Sequence, residues 1–145
     1  MPDLLSFDIS PIGANDVAIT PVVNGRPLTE LVAEFESSRN WRPAGGYGPL
    51  IPAHHNYGNL AAYLLGEDNE QWPRPGKVWL LACDCGEAGC WPLEASVESG
   101  GSLIIWQGFS QPHRPDRSYS GFGPFVFARD QYDHAIRSIP GAGVG

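Results

Sequence analysis

The segment Val78-Trp79-Leu80-Leu81-Ala82-Cys83 is an unbroken apolar run that opens directly into Asp84-Cys85-Gly86-Glu87-Ala88-Gly89-Cys90-Trp91-Pro92. A run this short, bounded by turn residues, suits a strand buried on both faces, because a helix needs a longer periodic pattern. The two glycines let the backbone reach positive φ at little cost. The chain therefore reverses here, and Trp91 to Val97 reads as the returning strand. On that reading Cys83 and Cys85 share one face and Asp84 takes the other. If residues 86–89 are a four-residue hairpin loop, Cys85 stands opposite Cys90, and three sulfurs meet beside one turn.

The rest of the chain repeats short strands. Leu5, Phe7 and Ile9 alternate with polar residues over 4–9, and Val17 and Ile19 do so over 17–23. Leu103 to Phe109 and Phe122 to Phe127 read as further strands. Asn24-Gly25 can form a type I′ turn, but a helix pattern follows it. That helix runs over 27–37, with Leu28, Leu31, Val32 and Phe35 as its apolar stripe and Glu30, Glu34 and Glu36 mostly on the solvent face. A second helix is expected over 57–65, capped by Asn56. A third is expected over 129–139, with Tyr132, Ala135, Ile136 and Ile139 on one side. A polar loop is expected over 67–76.

The fold class is therefore α+β: a mainly antiparallel β-meander sheet packed by two or three amphipathic helices. Residues 1–139 are expected to form a single globular domain and 140–145 a flexible C-terminal tail. Trp79, Leu81, Leu93, Ile105, Phe125 and Phe127 are the expected core of the strands.

A chain of 145 residues buries roughly 68–70% of its unfolded surface, so it needs neither disulfide nor metal to fold. The formal net charge is −7, with a single lysine. The densest basic stretch, His113-Arg114-Pro115-Asp116-Arg117, carries its own acid. That balance argues against nucleic acid and against an anionic membrane as partners. The first residues carry no basic, apolar leader pattern, and no apolar window is long enough to span a bilayer. Three cysteines within residues 83–90 make an odd, local set, unlike a secreted disulfide framework. A reducing cytoplasm is the expected location.

Three chemistries are open to the cysteine turn. Cys83, Cys85 and Cys90 can bind zinc with a fourth ligand, His113 first, or His54, His55 or Glu87, although C-x-C departs from the usual C-x₂₋₄-C spacing. They can exchange thiol for disulfide, although no C-x-x-C is present. Or they can be small apolar fillers in a structural turn. His113, Arg114 and Arg117 are the candidate binding residues: a guanidinium offers a planar fork to a carboxylate or phosphate, and Asp116 can equally neutralise it. His54 and His55, adjacent in the long 39–55 segment, read as exposed loop residues.

Several stretches have a recognisable pattern. Asn24-Gly25-Arg26-Pro27-Leu28, the cysteine turn with Trp91-Pro92, Trp106-Gln107-Gly108-Phe109, Gln111-Pro112-His113-Arg114 and Phe122-Gly123-Pro124-Phe125-Val126-Phe127 together span most of the chain. In these the chain resembles a set of small bacterial proteins of uncharacterised activity. The resemblance implies no catalytic residue and no cofactor.

Two functions compete. One is a non-enzymatic binding or interaction module, displaying aromatic and arginine residues on a stable sheet. The other is a small enzyme that uses the cysteines for metal-dependent or thiol chemistry. The enzyme needs a base, with His113 the one candidate, so an imidazole within hydrogen-bond reach of a sulfur would separate the two.

Overall fold

The structure is a computed structural model that describes residues 2–67 and 77–140. Most of the expected 67–76 loop and all but the first residue of the expected tail lie outside the described residues. Among the described residues, eight strands form two antiparallel sheets, accompanied by three α-helices.

The first sheet is built by β1 (Leu5–Ile12), β2 (Asp16–Val23) and β3 (Arg26–Pro27), in that order. Leu5 and Phe7 are buried while Ser6 and Asp8 are exposed, as the alternation requires. Asn24 and Gly25 take φ of 53° and 83° and close a two-residue turn, so that Val23 pairs with Arg26. The turn and the helix are both real: β3 lasts two residues, and α1 (Leu28–Ser38) follows at once.

The second sheet has the order β4-β5-β6-β7-β8, with β4 at Tyr47–Gly48, β5 at Lys77–Cys83, β6 at Leu93–Gly100, β7 at Leu103–Ser110 and β8 at Phe125–Ala128. From Leu80 to Cys83 every residue of β5 is buried, so this strand is covered on both faces. Single bridges link the sheets at both ends, Ile19 to Leu50 and Asp3 to Phe127, and carry the sheet round into a curl. The short helix α2 spans Leu60–Leu64, and α3 spans Arg129–Arg137. Helix α1 rests on β2 and β3, and α3 on β1, β7 and β8.

The core is one contiguous apolar cluster. Leu28, Val32, Leu64, Leu80, Leu81, Leu93, Ile104, Trp106 and Phe127 are fully buried within it, each contributing roughly 1.5–3 kcal/mol by burial. Trp106 donates its indole N–H to Tyr132 at 3.0 Å, and Tyr132 donates to the Leu64 carbonyl, so β7, α3 and α2 are pinned together.

Five sequence expectations are corrected. Leu81, Leu93 and Phe127 are buried as expected, but Trp79, Ile105 and Phe125 are only partly so. In the all-apolar stretch Leu103 to Trp106 alternation cannot fix the phase, and Ile104 and Trp106 point inward instead of Ile105. The second helix begins later than expected: Asn59, not Asn56, caps it, accepting from Ala62 N–H at 3.0 Å. The last strand is shorter than expected, starting at Phe125. The other two corrections, Glu36 and the hairpin at the cysteine turn, belong to the site.

Candidate functional site

Strand β5 delivers Cys83 to the end of the sheet, where it is buried. Gly86, at φ 97°, closes the first turn with its N–H on the Cys83 carbonyl at 3.1 Å. A 3-10 turn over Ala88–Cys90 then bends the chain back. The last ladder pair before the connection is Leu81 with Leu93. The reversal is therefore longer than a four-residue hairpin, and Cys85 and Cys90 sit in the connection rather than opposite each other on strands. Cys83 and Cys85 nevertheless stay in contact: Cys85 N–H donates to Cys83 Sγ at 3.4 Å, and the Cys83 thiol donates to Asp84 Oδ1 at 3.8 Å.

Three neighbours hold this connection in place. Gly48 in β4 comes so close that a Cβ there would stand 2.9 Å from Asp84 Cα and 3.0 Å from the Cys83 carbonyl oxygen. Only a residue without a side chain fits that approach. His54 Nδ1 meets the Gly86 carbonyl at 3.1 Å, and His113 Nε2 meets the Gly89 carbonyl at 2.8 Å. A carbonyl only accepts, so those two ring nitrogens carry the protons. His55 lies off the cluster, against the rings of Tyr57 and Trp79.

The three thiols are in different electrostatic states. Cys85 is exposed and held below the usual thiol range, first by the Cys83 hydrogen bond and then by the Glu87 backbone N–H. Cys90, also exposed, is pushed up to about 12, chiefly because its thiol donates to the Glu87 carboxylate at 3.4 Å. Burial pushes Cys83 up.

Beside the turn, Gln111 is fully buried and bonds the Pro92 carbonyl at 2.9 Å and the Tyr47 hydroxyl at 3.1 Å. Its Oε1 accepts the His113 N–H at 3.0 Å, which sets the course of the following loop. Arg114 is exposed and stacks its guanidinium over Trp91 at 5.0 Å. The exposed His113 ring lies within 11° of parallel to the same indole. Trp91 is fixed from behind, donating its indole N–H to the Gly45 carbonyl at 2.9 Å.

Arg117 turns the other way. It is buried between Trp41 and Trp91, at 5.1 and 5.7 Å from their rings, and donates to the Pro43 carbonyl at 2.9 Å. Its Nη1 stands 3.6 Å from Glu36 Oε2. Glu36, on the sequence pattern mostly a solvent-face residue, is 0% exposed. It continues the line of Leu28 and Val32 at four-residue intervals, the same face of α1. Its carboxylate accepts from Gly45 N–H and Tyr47 O–H, both at 2.7 Å, and from the Tyr119 hydroxyl. Burial, and then the hydrogen bond to Glu36, push Tyr119 up to about 12.

Of the expected site residues, the structure brings Cys83, Cys85, Cys90, His113 and Arg114 to one shoulder of the protein, with His54 and Glu87. Arg117 sits beneath it, its charge directed inward. Glu36, Tyr47, Trp91 and Tyr119, which build the support, were not among the sequence candidates. Among the described residues no imidazole hydrogen-bonds a cysteine sulfur, and no group of three or more His, Cys, Asp or Glu side chains is arranged to hold a metal ion. No described helix is long and apolar enough to cross a membrane.

Comparison with known proteins yields no match: no protein-family model, no curated protein and no solved structure is significantly similar to this chain.

Proposed function

We propose that this protein is a binding module whose recognition surface is the shoulder where the cysteine turn meets the 111–117 loop. The observation that carries the reading is Arg114, exposed yet stacked on a fixed Trp91 beside the His113 ring. An arginine ordered before the ligand arrives loses less entropy on binding, and its fork matches a carboxylate or phosphate. One N–H is already spent on the His113 carbonyl at 2.9 Å, which leaves the others to a ligand. A hollow of about 410 Å³, lined by Ser110, Gln111, Pro112 and Pro115, opens beside the same loop and offers room for the body of a small anionic molecule.

The enzyme reading has less support. Its base would be an imidazole on a thiol, and both nearby imidazoles bind backbone carbonyls instead. The test is calorimetric titration of wild type and Arg114→Ala with succinate and with inorganic phosphate as probes. Saturable binding that weakens at least about ten-fold in the variant, as expected for loss of hydrogen bonds to a charged group, supports the reading. Equal binding by both proteins, or none by either, rejects it.

A further inference from the structure

Arg114 is one end of a longer stack. Its guanidinium lies over Trp91 at 5.0 Å, and that of Arg117 lies 5.7 Å from the same ring. Arg117 also lies over Trp41 at 5.1 Å. Trp41 meets Phe35 edge-on at 6.0 Å, and Arg39 covers Phe35 at 4.6 Å. Phe35, Trp41 and Trp91 are each partly exposed, so the stack runs along the surface, and the arginines at its two ends are both exposed. Arg39 is ordered in the same way as Arg114: it rests on an aromatic ring and spends one N–H on a carbonyl, that of Ser120 at 2.9 Å. Resting on the reading of Arg114 as an anion-binding point, we propose that the partner is an extended acidic peptide, whose carboxylates engage Arg114 at one end of the stack and Arg39 at the other.

Charge singles out this occupant. The chain carries a net charge of −7, yet segments 39–46 and 111–121 together hold four arginines and one acid, Asp116. Elsewhere Arg26 is neutralised by Glu30 and Glu34, and Arg129 by Asp133. Arg117 is answered from beneath by Glu36. Among the described residues, Arg39, Arg42 and Arg114 form no ion pair. Three exposed, unpaired cations on an otherwise acidic chain complement a run of carboxylates. A single small anion would use Arg114 and leave Arg39 and Arg42 idle. A peptide engages them together, because its first contact raises the effective concentration of the next carboxylate. Single-stranded nucleic acid fits the same patch less well. Its bases need open ring faces on which to stack. Here Trp91 is flanked by Arg114 and Arg117, and Trp41 by Arg117 and Tyr119. The overall negative charge also repels a polyanionic backbone at a distance.

The test is calorimetric titration of the untagged full chain at low salt with three probes: a hexaglutamate peptide blocked at both ends, succinate, and an oligodeoxythymidylate of ten nucleotides. The peptide should bind at least about ten-fold more tightly than succinate, as expected when linked contacts act together. Arg39→Ala should weaken the peptide by about three-fold or more, the scale of an exposed ion pair, and leave succinate unchanged. Arg42→Ala should weaken the peptide in the same sense. Arg42 makes no ion pair in the fold, so this second variant keeps the test decisive if Arg39→Ala fails to fold. Arg114→Ala should weaken both the peptide and succinate. Peptide binding no tighter than succinate, peptide binding indifferent to both Arg39→Ala and Arg42→Ala, or tighter binding of the oligonucleotide than of the peptide would each overturn the inference. Failure of the underlying reading looks different: succinate binding would then ignore Arg114→Ala. Succinate bound through Arg114, with no gain for the peptide, would leave that reading intact and overturn the peptide alone.

Discussion

Glu36 and Arg117 meet in the protein interior, 3.6 Å apart, with side chains 0% and 5% exposed. Each comes from a segment that would otherwise be loose on this side of the fold: Glu36 from the end of α1, Arg117 from the loop after β7. The pair explains how the shoulder above it is held. Glu36 gathers Gly45, Tyr47 and Tyr119, while Arg117 lies between Trp41 and Trp91. Removing one member of a buried ion pair leaves the other charge uncompensated, at a cost of about 3–5 kcal/mol. Glu36→Ala is therefore expected to lower unfolding free energy by that amount in urea titration, and Arg117→Met in the same background to restore part of it. Additive losses would show the two residues to be independent.

Tyrosine ionisation gives a second test. All five tyrosines are shifted upward, each by burial first. An upward shift in the folded state means that the stability contributed is fully present below pH of about 10, the unfolded value. It is lost as pH rises through the folded value, about 12 for Tyr119. Phenolate absorbance near 295 nm should stay absent at pH of about 10, where free tyrosine is half ionised. Above that it should appear together with loss of the native circular dichroism signal. A normal titration in folded protein would contradict the buried hydroxyl network.

Gly48→Ala tests the approach of β4 to the cysteine turn. The added Cβ meets backbone on β5's end, which has no rotamer to yield. We expect about 1–3 kcal/mol of destabilisation, the usual cost of overpacking, and hydrogen-exchange protection lost first at the Asp84 N–H, which bonds the Gly46 carbonyl at 3.0 Å. Unchanged protection there would show that the turn does not depend on β4.

Much of the frame is legible in the sequence because it follows from local pattern. Alternation at Leu5 and Phe7 marks β1, the apolar run before Cys83 marks a strand buried on both faces, and Asn24-Gly25 marks a tight turn. The phase of β7 is not legible, since Leu103 to Trp106 offers no polar residue to break the tie. The contact of Cys85 with Cys83 is legible from their spacing, but the route to Cys90 is not. The 3-10 turn brings Cys90 back, where spacing alone suggests a hairpin.

The support of the site is illegible for a different reason. A glutamate two residues from a helix end reads as solvated, and only its distant partners compensate its burial. Arg117 and Tyr119 lie far along the chain, and nothing local to Glu36 announces them. Arg114 and Arg117 look equivalent in sequence, yet one is ordered on the surface and the other is committed to the interior.

The central claim, that Arg114 on Trp91 is a prepared anion-binding point, is tested most directly by ¹H–¹⁵N NMR titration with succinate. Every group concerned carries a reporter: the Trp91 indole N–H, and the backbone N–H groups of His113 and Arg114. The account predicts saturable shifts at these positions that shrink with added salt, because a surface ion contact is screened. It predicts that Arg114→Ala, with its other resonances in place, loses them. Shifts centred elsewhere, or the same shifts in Arg114→Ala, would contradict it.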